Sequence, residues 1–256
     1  MAILTVFQKR RIEPIIAGGS PADGRFPECA ALGDSFQSPA HRWMGSGVLI
    51  ERDVLLTVAH LATFGHNRVA LPADDLAVVT PASARRIRCF RAHAGYTTAF
   101  GPNDVALISL CEPVQGVLPA QVASADDLNQ IAPGTKFTLV GFGPDENGQN
   151  DNQKRFVDVR IRFWRGKVEE VDPQGFGDDE HFIVGEPGLG ACVQDSGGGV
   201  YLRDTAGNFK LAGLVRAGTG DNCASSHTIA VRVTAHADWI GQNVPLVRAC
   251  SSPRCT

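Results

Sequence analysis

The chain has 256 residues, 43% of them apolar, enough to bury one large core or two small ones. Its formal net charge of −3 leaves no basic excess to attract nucleic acid or an anionic membrane surface. No apolar stretch approaches the ~20 residues that span a bilayer.

Its 28 glycines and 15 prolines punctuate many short apolar runs, the pattern of a turn-rich β protein. Residues 1–15 read as a polar, basic leader. Ala2 to Phe7 is too short for a signal-peptide core, and Lys9, Arg10 and Arg11 follow it instead of preceding it. No secretory signal is therefore visible, and an intracellular location stays open. Strands are expected at 30–32, 47–50, 54–58, 69–71, 87–90 and 105–110, then a connector over 119–129. They resume at 136–141, 156–163, 182–184, 199–202, 209–215 and 229–233. Residues 234–243 set Ala235, Trp239 and Ile240 at helical spacing, and 244–256 read as a tail. Two sets of six short strands and a terminal helix predict an all-β fold. Its two packed six-stranded antiparallel barrels occupy 16–120 and 130–243.

Several charged groups read as solvated surface. Arg85, Arg86, Arg88 and Arg91 suit a strand edge better than an anion exosite, and Asp178-Asp179-Glu180 an acidic loop better than a calcium site. The seven cysteines leave at least one unpaired. Cys89 with Cys111, and Cys250 with Cys255, are sequence-near possibilities only, and the pairing of Cys29, Cys89, Cys111, Cys250 and Cys255 stays open. There is no CxxC, and histidines 41, 66, 93, 181, 227 and 236 are scattered, so neither a metal site nor a cofactor is expected.

Three fragments carry chemistry. Val54-Leu55-Leu56-Thr57-Val58-Ala59-His60 ends an apolar run in a histidine. Asn103-Asp104-Val105-Ala106-Leu107-Ile108 opens another with an aspartate. Gln194-Asp195-Ser196-Gly197-Gly198 follows Cys192 and sets a serine among glycines, where the backbone turns sharply and presents Oγ bare. Together they resemble the chymotrypsin/trypsin family of serine proteases, whose order is His, Asp, Ser. Here the separations are 44 and 92 residues, against roughly 45 and 93 in the family. Ile16-Ala17-Gly18-Gly19, Gly141-Phe142-Gly143, Leu214 to Gly218 and Ala237-Asp238-Trp239-Ile240 extend the likeness from about Ile16 to Ile240.

The resemblance implies a serine endopeptidase acting on polypeptides as a monomer, with His60 as base, Asp104 as its orienter and Ser196 as nucleophile. The oxyanion would sit between the N–H groups of Gln194 and Ser196, although the family has glycine where Gln194 stands. Gly190, Ala191, Gly218 and Thr228 would line the primary pocket. Glycine at 190, where trypsins carry aspartate, and branched Thr228 imply a neutral, shallow pocket for small-to-medium P1 side chains. Arg216 and Ala217 stand where the family has serine and tryptophan. Cys192 and Cys223 correspond to a family disulfide, and Asp221 lies in the loop before Cys223. The family is made as a zymogen in which a freed amine, here that of Ile16, pairs with Asp195. An activating protease is implied, yet cutting after Arg11 leaves Ile12-Glu13-Pro14-Ile15 in front. The family also implies secretion. The rival reading is a pseudoprotease, a binding or regulatory module that lost turnover through Gln194.

Overall fold

The structure, a computed structural model, describes residues 19–34, 43–63, 68–72, 84–97, 102–143, 153–164, 168–169, 179–192, 194–219, 226–252 and 255. Ile16, Asp221 and Cys223 lie outside them, as do the whole leader, residues 144–152, Asp178, His41 and His66.

The first barrel is closed in the order β2 (Cys29–Asp34), β3 (Trp43–Glu51), β4 (Val54–Thr57), β7 (Ala106–Leu110), β6 (Arg85–Ala92), β5 (Arg68–Pro72). β4 and β7 are buried on both faces, which explains why each reads as an unbroken apolar run rather than an alternating one. Leu55 pairs with Ile108 and Leu56 with Leu107, and these side chains join Leu32, Val48 and Leu49 in the core.

In the second half, β8 (Lys136–Gly141) pairs with both β9 (Arg155–Trp164) and β12 (Gly199–Arg203). The ring continues through β13 (Phe209–Gly218), β14 (Thr228–Arg232) and β11 (His181–Val184) back to β9. The short β1 (Ser20–Pro21) and β10 (Val168–Glu169) add to β9. β9 shows the alternation of a half-buried strand: Val157, Val159 and Ile161 face the core while Asp158 and Arg160 face out. The twelve expected strands and the two-barrel architecture are all present.

Three differences have physical causes. The 119–129 connector contains a short helix α1 (Ala125–Asn129), started by a capping box in which Ser124 and Asp127 satisfy each other's backbone N–H. The terminal helix begins as a 3₁₀ turn, Val233–His236, and continues as α2 (Ala237–Arg248) past the expected end at 243. Its added turns pack on the first barrel: Ser109 Oγ donates to the Val247 carbonyl at 2.8 Å and Arg91 Nε to Asn243 Oδ1 at 2.7 Å.

That packing also overturns the sequence-near cysteine pairs. The bonds are Cys89–Cys250 and Cys111–Cys255. Register sets Cys89 opposite Ser109 rather than Cys111, and α2 brings the C-terminal cysteines back over β6 and β7. Likewise Arg88 is no free strand edge, since its guanidinium donates to the carbonyls of Arg248 and Cys111, each at 3.1 Å. Among the described residues Cys29 is the free cysteine; it is fully buried, and burial pushes its thiol up to about 12.

Candidate active site

His60 follows β4 in a 3₁₀ turn, Ala59–Thr63, pinned by buried Val58, Ala59 and Leu61. Asp104 precedes β7 and is fully buried. Its neighbour Asn103 takes a positive φ of 63°, which asparagine tolerates, and donates its N–H to Glu180 at 2.7 Å. Asp104 then grips His60 twice: Oδ1 accepts the backbone N–H at 2.9 Å, and Oδ2 lies 2.8 Å from Nδ1. Burial pushes the Asp104 carboxyl up, but the bonds and charge of His60 and the charge of Arg216 outweigh this and hold it below the usual range. An ionised carboxylate only accepts, so the imidazole proton sits on Nδ1 and Nε2 is left as the basic nitrogen.

Ser196 comes from the second half. Its carbonyl accepts the Ser46 N–H of β3 at 2.7 Å, and the next residue donates from Gly197 N to the Val215 carbonyl at 2.7 Å. Gly197 has φ +81°, and any Cβ there would run into the Ser46 carbonyl and Thr57 Oγ1. Only glycine fits. The turn thus lies between strands of both barrels. Ser196 Oγ donates to the Arg216 carbonyl at 3.3 Å, and the side chain of that same Arg216 reaches Asp104 Oδ2 at 3.3 Å.

Ahead of the serine, the Cys192 carbonyl accepts from Asp195 N at 3.2 Å, with Gln194 at φ +71° inside that turn. A positive φ at this position is usually left to glycine. Glutamine holds it nonetheless, with its Oε1 buried and, among the described residues, accepting no hydrogen bond. Asp195 is fully buried and accepts from Gly143 N and Cys192 N, each at 3.0 Å. Cys192 is disulfide-bonded; Cys223, its expected partner, lies outside the described residues, as does Ile16.

Of the expected pocket residues, Thr228 is fully buried and its Oγ1 accepts the Ala191 N–H at 2.8 Å. A Cβ on Gly190 would approach that hydroxyl to 2.9 Å, so the threonine occupies the space below Gly190. Gly218 pairs with Thr228 across β13 and β14. The sequence marked Arg216 as unusual but not where its side chain goes. It also missed His181, whose Nε2 lies 2.8 Å from Arg216 Nη1, and Tyr96, whose hydroxyl pKa is raised by burial and the nearby Asp104 charge. No sequence pattern points to either, because both reach the site only through the fold.

The sequence profile of the trypsin family matches residues 15–240. A collagenase of Hypoderma lineatum is 28% identical over 246 residues, 91% of this chain and 88% of its own length. Chymotrypsin-C of Bos taurus is 28% identical over 216 residues, 78% of each chain. Glucanase inhibitor protein 2 of Phytophthora infestans is 29% identical over 150 residues, 58% of this chain and 57% of its own. The profile spans both barrels and all three fragments that gather His60, Asp104 and Ser196, and the chain belongs to the trypsin family of serine proteases.

Proposed function

We propose that the protein is a serine endopeptidase working through His60, Asp104 and Ser196. The observation that carries this reading is the doubly held imidazole, with Nδ1 on a buried carboxylate and Nε2 left as base. His60 takes the Ser196 proton as Oγ attacks the peptide carbonyl, then returns it to the leaving amine; water releases the acyl group by the same route. The N–H groups of Gln194 and Ser196 stabilise the oxyanion. The P1 side chain is neutral and small to medium, because Thr228 fills the space below Gly190 and no carboxylate stands at either position.

Activation follows release of Ile16, whose new ammonium would enter beside Asp195, a carboxylate buried deeply enough to favour a cation. The bonds Cys89–Cys250 and Cys111–Cys255 favour an oxidising, extracellular setting. A second reading, a binding module without turnover, draws on the strained Gln194. A relative named as a glucanase inhibitor also supports it.

The test is Ser196→Ala in a protein beginning at Ile16. Hydrolysis of neutral peptides and fluorophosphonate labelling are lost while the melting temperature stays nearly unchanged. Undiminished hydrolysis in the variant rules out Ser196 as nucleophile, and a parent protein that never labels favours the second reading.

A further inference from the structure

The family's serine is replaced here by a residue that cannot shed its charge. β13 carries a bulge at this point: Val215 pairs with Ala230 and Ala217 with Ile229, leaving Arg216 as the extra residue. A bulge re-aims a side chain. The Arg216 side chain is only 3% exposed, and its guanidinium lies between two groups. Nε is 3.3 Å from Asp104 Oδ2, and Nη1 is 2.8 Å from His181 Nε2. Guanidinium only donates, so His181 accepts through Nε2 and is the neutral imidazole protonated on Nδ1. His181 is itself buried in β11, its carbonyl taking a bond from Arg232 Nη2 at 3.2 Å.

The Asp104 oxygen that Arg216 addresses is the same Oδ2 that holds the His60 Nδ1–H. We propose that Arg216 is a positioning residue that shares Asp104 Oδ2 with His60, fixing the carboxylate while weakening the histidine as a base. With a serine at 216, the carboxylate charge would be free to stabilise the imidazolium that forms as Ser196 loses its proton. With arginine there, the guanidinium offsets part of the Asp104 charge, so the carboxylate stabilises the imidazolium less. The acid limb of kcat/KM therefore lies at lower pH than it would with serine, and a weaker base drives each proton transfer.

Two further titratable groups near Arg216 and His181 do not undo this. Tyr96 is neutral over the working range, its hydroxyl raised above its ordinary value. His236 is lowered, chiefly by burial, and stands 3.9 Å from Glu180 in the network behind His181.

The inference rests on the endopeptidase reading, and two measurements separate their failures. The first is the acid limb of kcat/KM on a neutral peptide. Arg216→Ser and the near-isosteric, uncharged Arg216→Met both move it upward by ~1 pH unit or more, while Arg216→Lys, which keeps the charge, leaves it near the parent's. The second needs no turnover. The downfield proton resonance of the His60 Nδ1–H···Asp104 bond, identified by its loss in His60→Ala, moves further downfield in the serine and methionine variants. It does so because no guanidinium charge then draws on Oδ2. A parent without activity at any pH removes the endopeptidase reading and leaves the resonance to decide this one. The proposal is overturned if that resonance and, where there is activity, the acid limb stay put in the uncharged variants, or if lysine shifts them as far as methionine does.

Discussion

On the first-barrel side of the site, His60 is fixed by a buried carboxylate that grips it through two bonds, with a guanidinium on the same oxygen. On the second-barrel side, Ser196 is fixed by backbone: its carbonyl on Ser46, Gly197 in a conformation only glycine takes freely, and Gln194 forced into a similar one. One half is held by charge and the other by shape. The charged half should answer to pH and to charge-removing substitutions, the shaped half to single carbon atoms.

The largest effect breaks the charged half. Asp104→Asn is expected to lower kcat by ~10⁴, the size seen for this step in the family's template enzyme. It also breaks the buried Asp104–Arg216 pair, costing ~3–5 kcal/mol of stability. Adding Arg216→Met to Asp104→Asn should recover most of that loss in denaturant titrations. A single variant as stable as the parent would show that the guanidinium finds water instead. The pH dependence has a definite sign. The folded carboxyl lies below its unfolded value of ~3.9, so its contribution is complete above that pH and disappears as pH falls through the lower folded value. The stability gap between parent and Asp104→Asn should accordingly narrow only below about pH 4.

Gly197→Ala breaks the shaped half. Its Cβ meets the Ser46 carbonyl and Thr57 Oγ1, and Thr57 Oγ1 already donates to that carbonyl at 2.7 Å, so neither can withdraw cheaply. Left-handed strain and overpacking together cost roughly 2–5 kcal/mol. A nucleophile displaced by about 1 Å loses ~10² in turnover. The control is Gly207→Ala, at φ +89° with nothing within 4 Å, which carries strain alone. Equal losses of stability in the two variants would mean that packing against the first barrel does not hold the serine turn. The pH limbs should not move in either.

The sequence discloses the two halves unequally. Strands were legible where they form an unbroken apolar run, as in Val54–Thr57, or an alternation, as in the middle of Arg155–Trp164. The three candidate residues were legible because each lies beside such a strand, at spacings a known family shares. What stayed hidden depends on contacts between distant segments. Arg216 ends a buried run that begins at Leu211, and the bulge that sends it inward to Asp104 has no mark in the sequence. Lys154 is fully buried, its ammonium bonded to the Phe26 carbonyl 128 residues away. The cysteine pairs join residues 161 and 144 apart, so proximity along the chain could not choose the partners.

The smallest expected effect concerns Gln194 and sharpens the account of the shaped half. A side chain at φ +71° costs ~1–2 kcal/mol relative to glycine. A buried amide oxygen with no donor among the described residues adds ~1–3 kcal/mol. Against this, glycine makes the unfolded chain more flexible, offsetting ~0.4–1 kcal/mol. Gln194→Gly should therefore stabilise the protein by ~1 kcal/mol or more, about 2–4 °C in Tm for a domain of this size. Gln194→Ala separates the two contributions, since it removes the buried amide but keeps the Cβ and its strain. If glycine gains clearly more than alanine, backbone strain is stored next to the nucleophile. Glycine should then also raise turnover, because the N–H of residue 194 can face the developing oxyanion without that penalty. If alanine gains as much as glycine in stability and neither changes turnover, the conformation at 194 is not strained, and the argument for a weakened oxyanion site loses its physical basis.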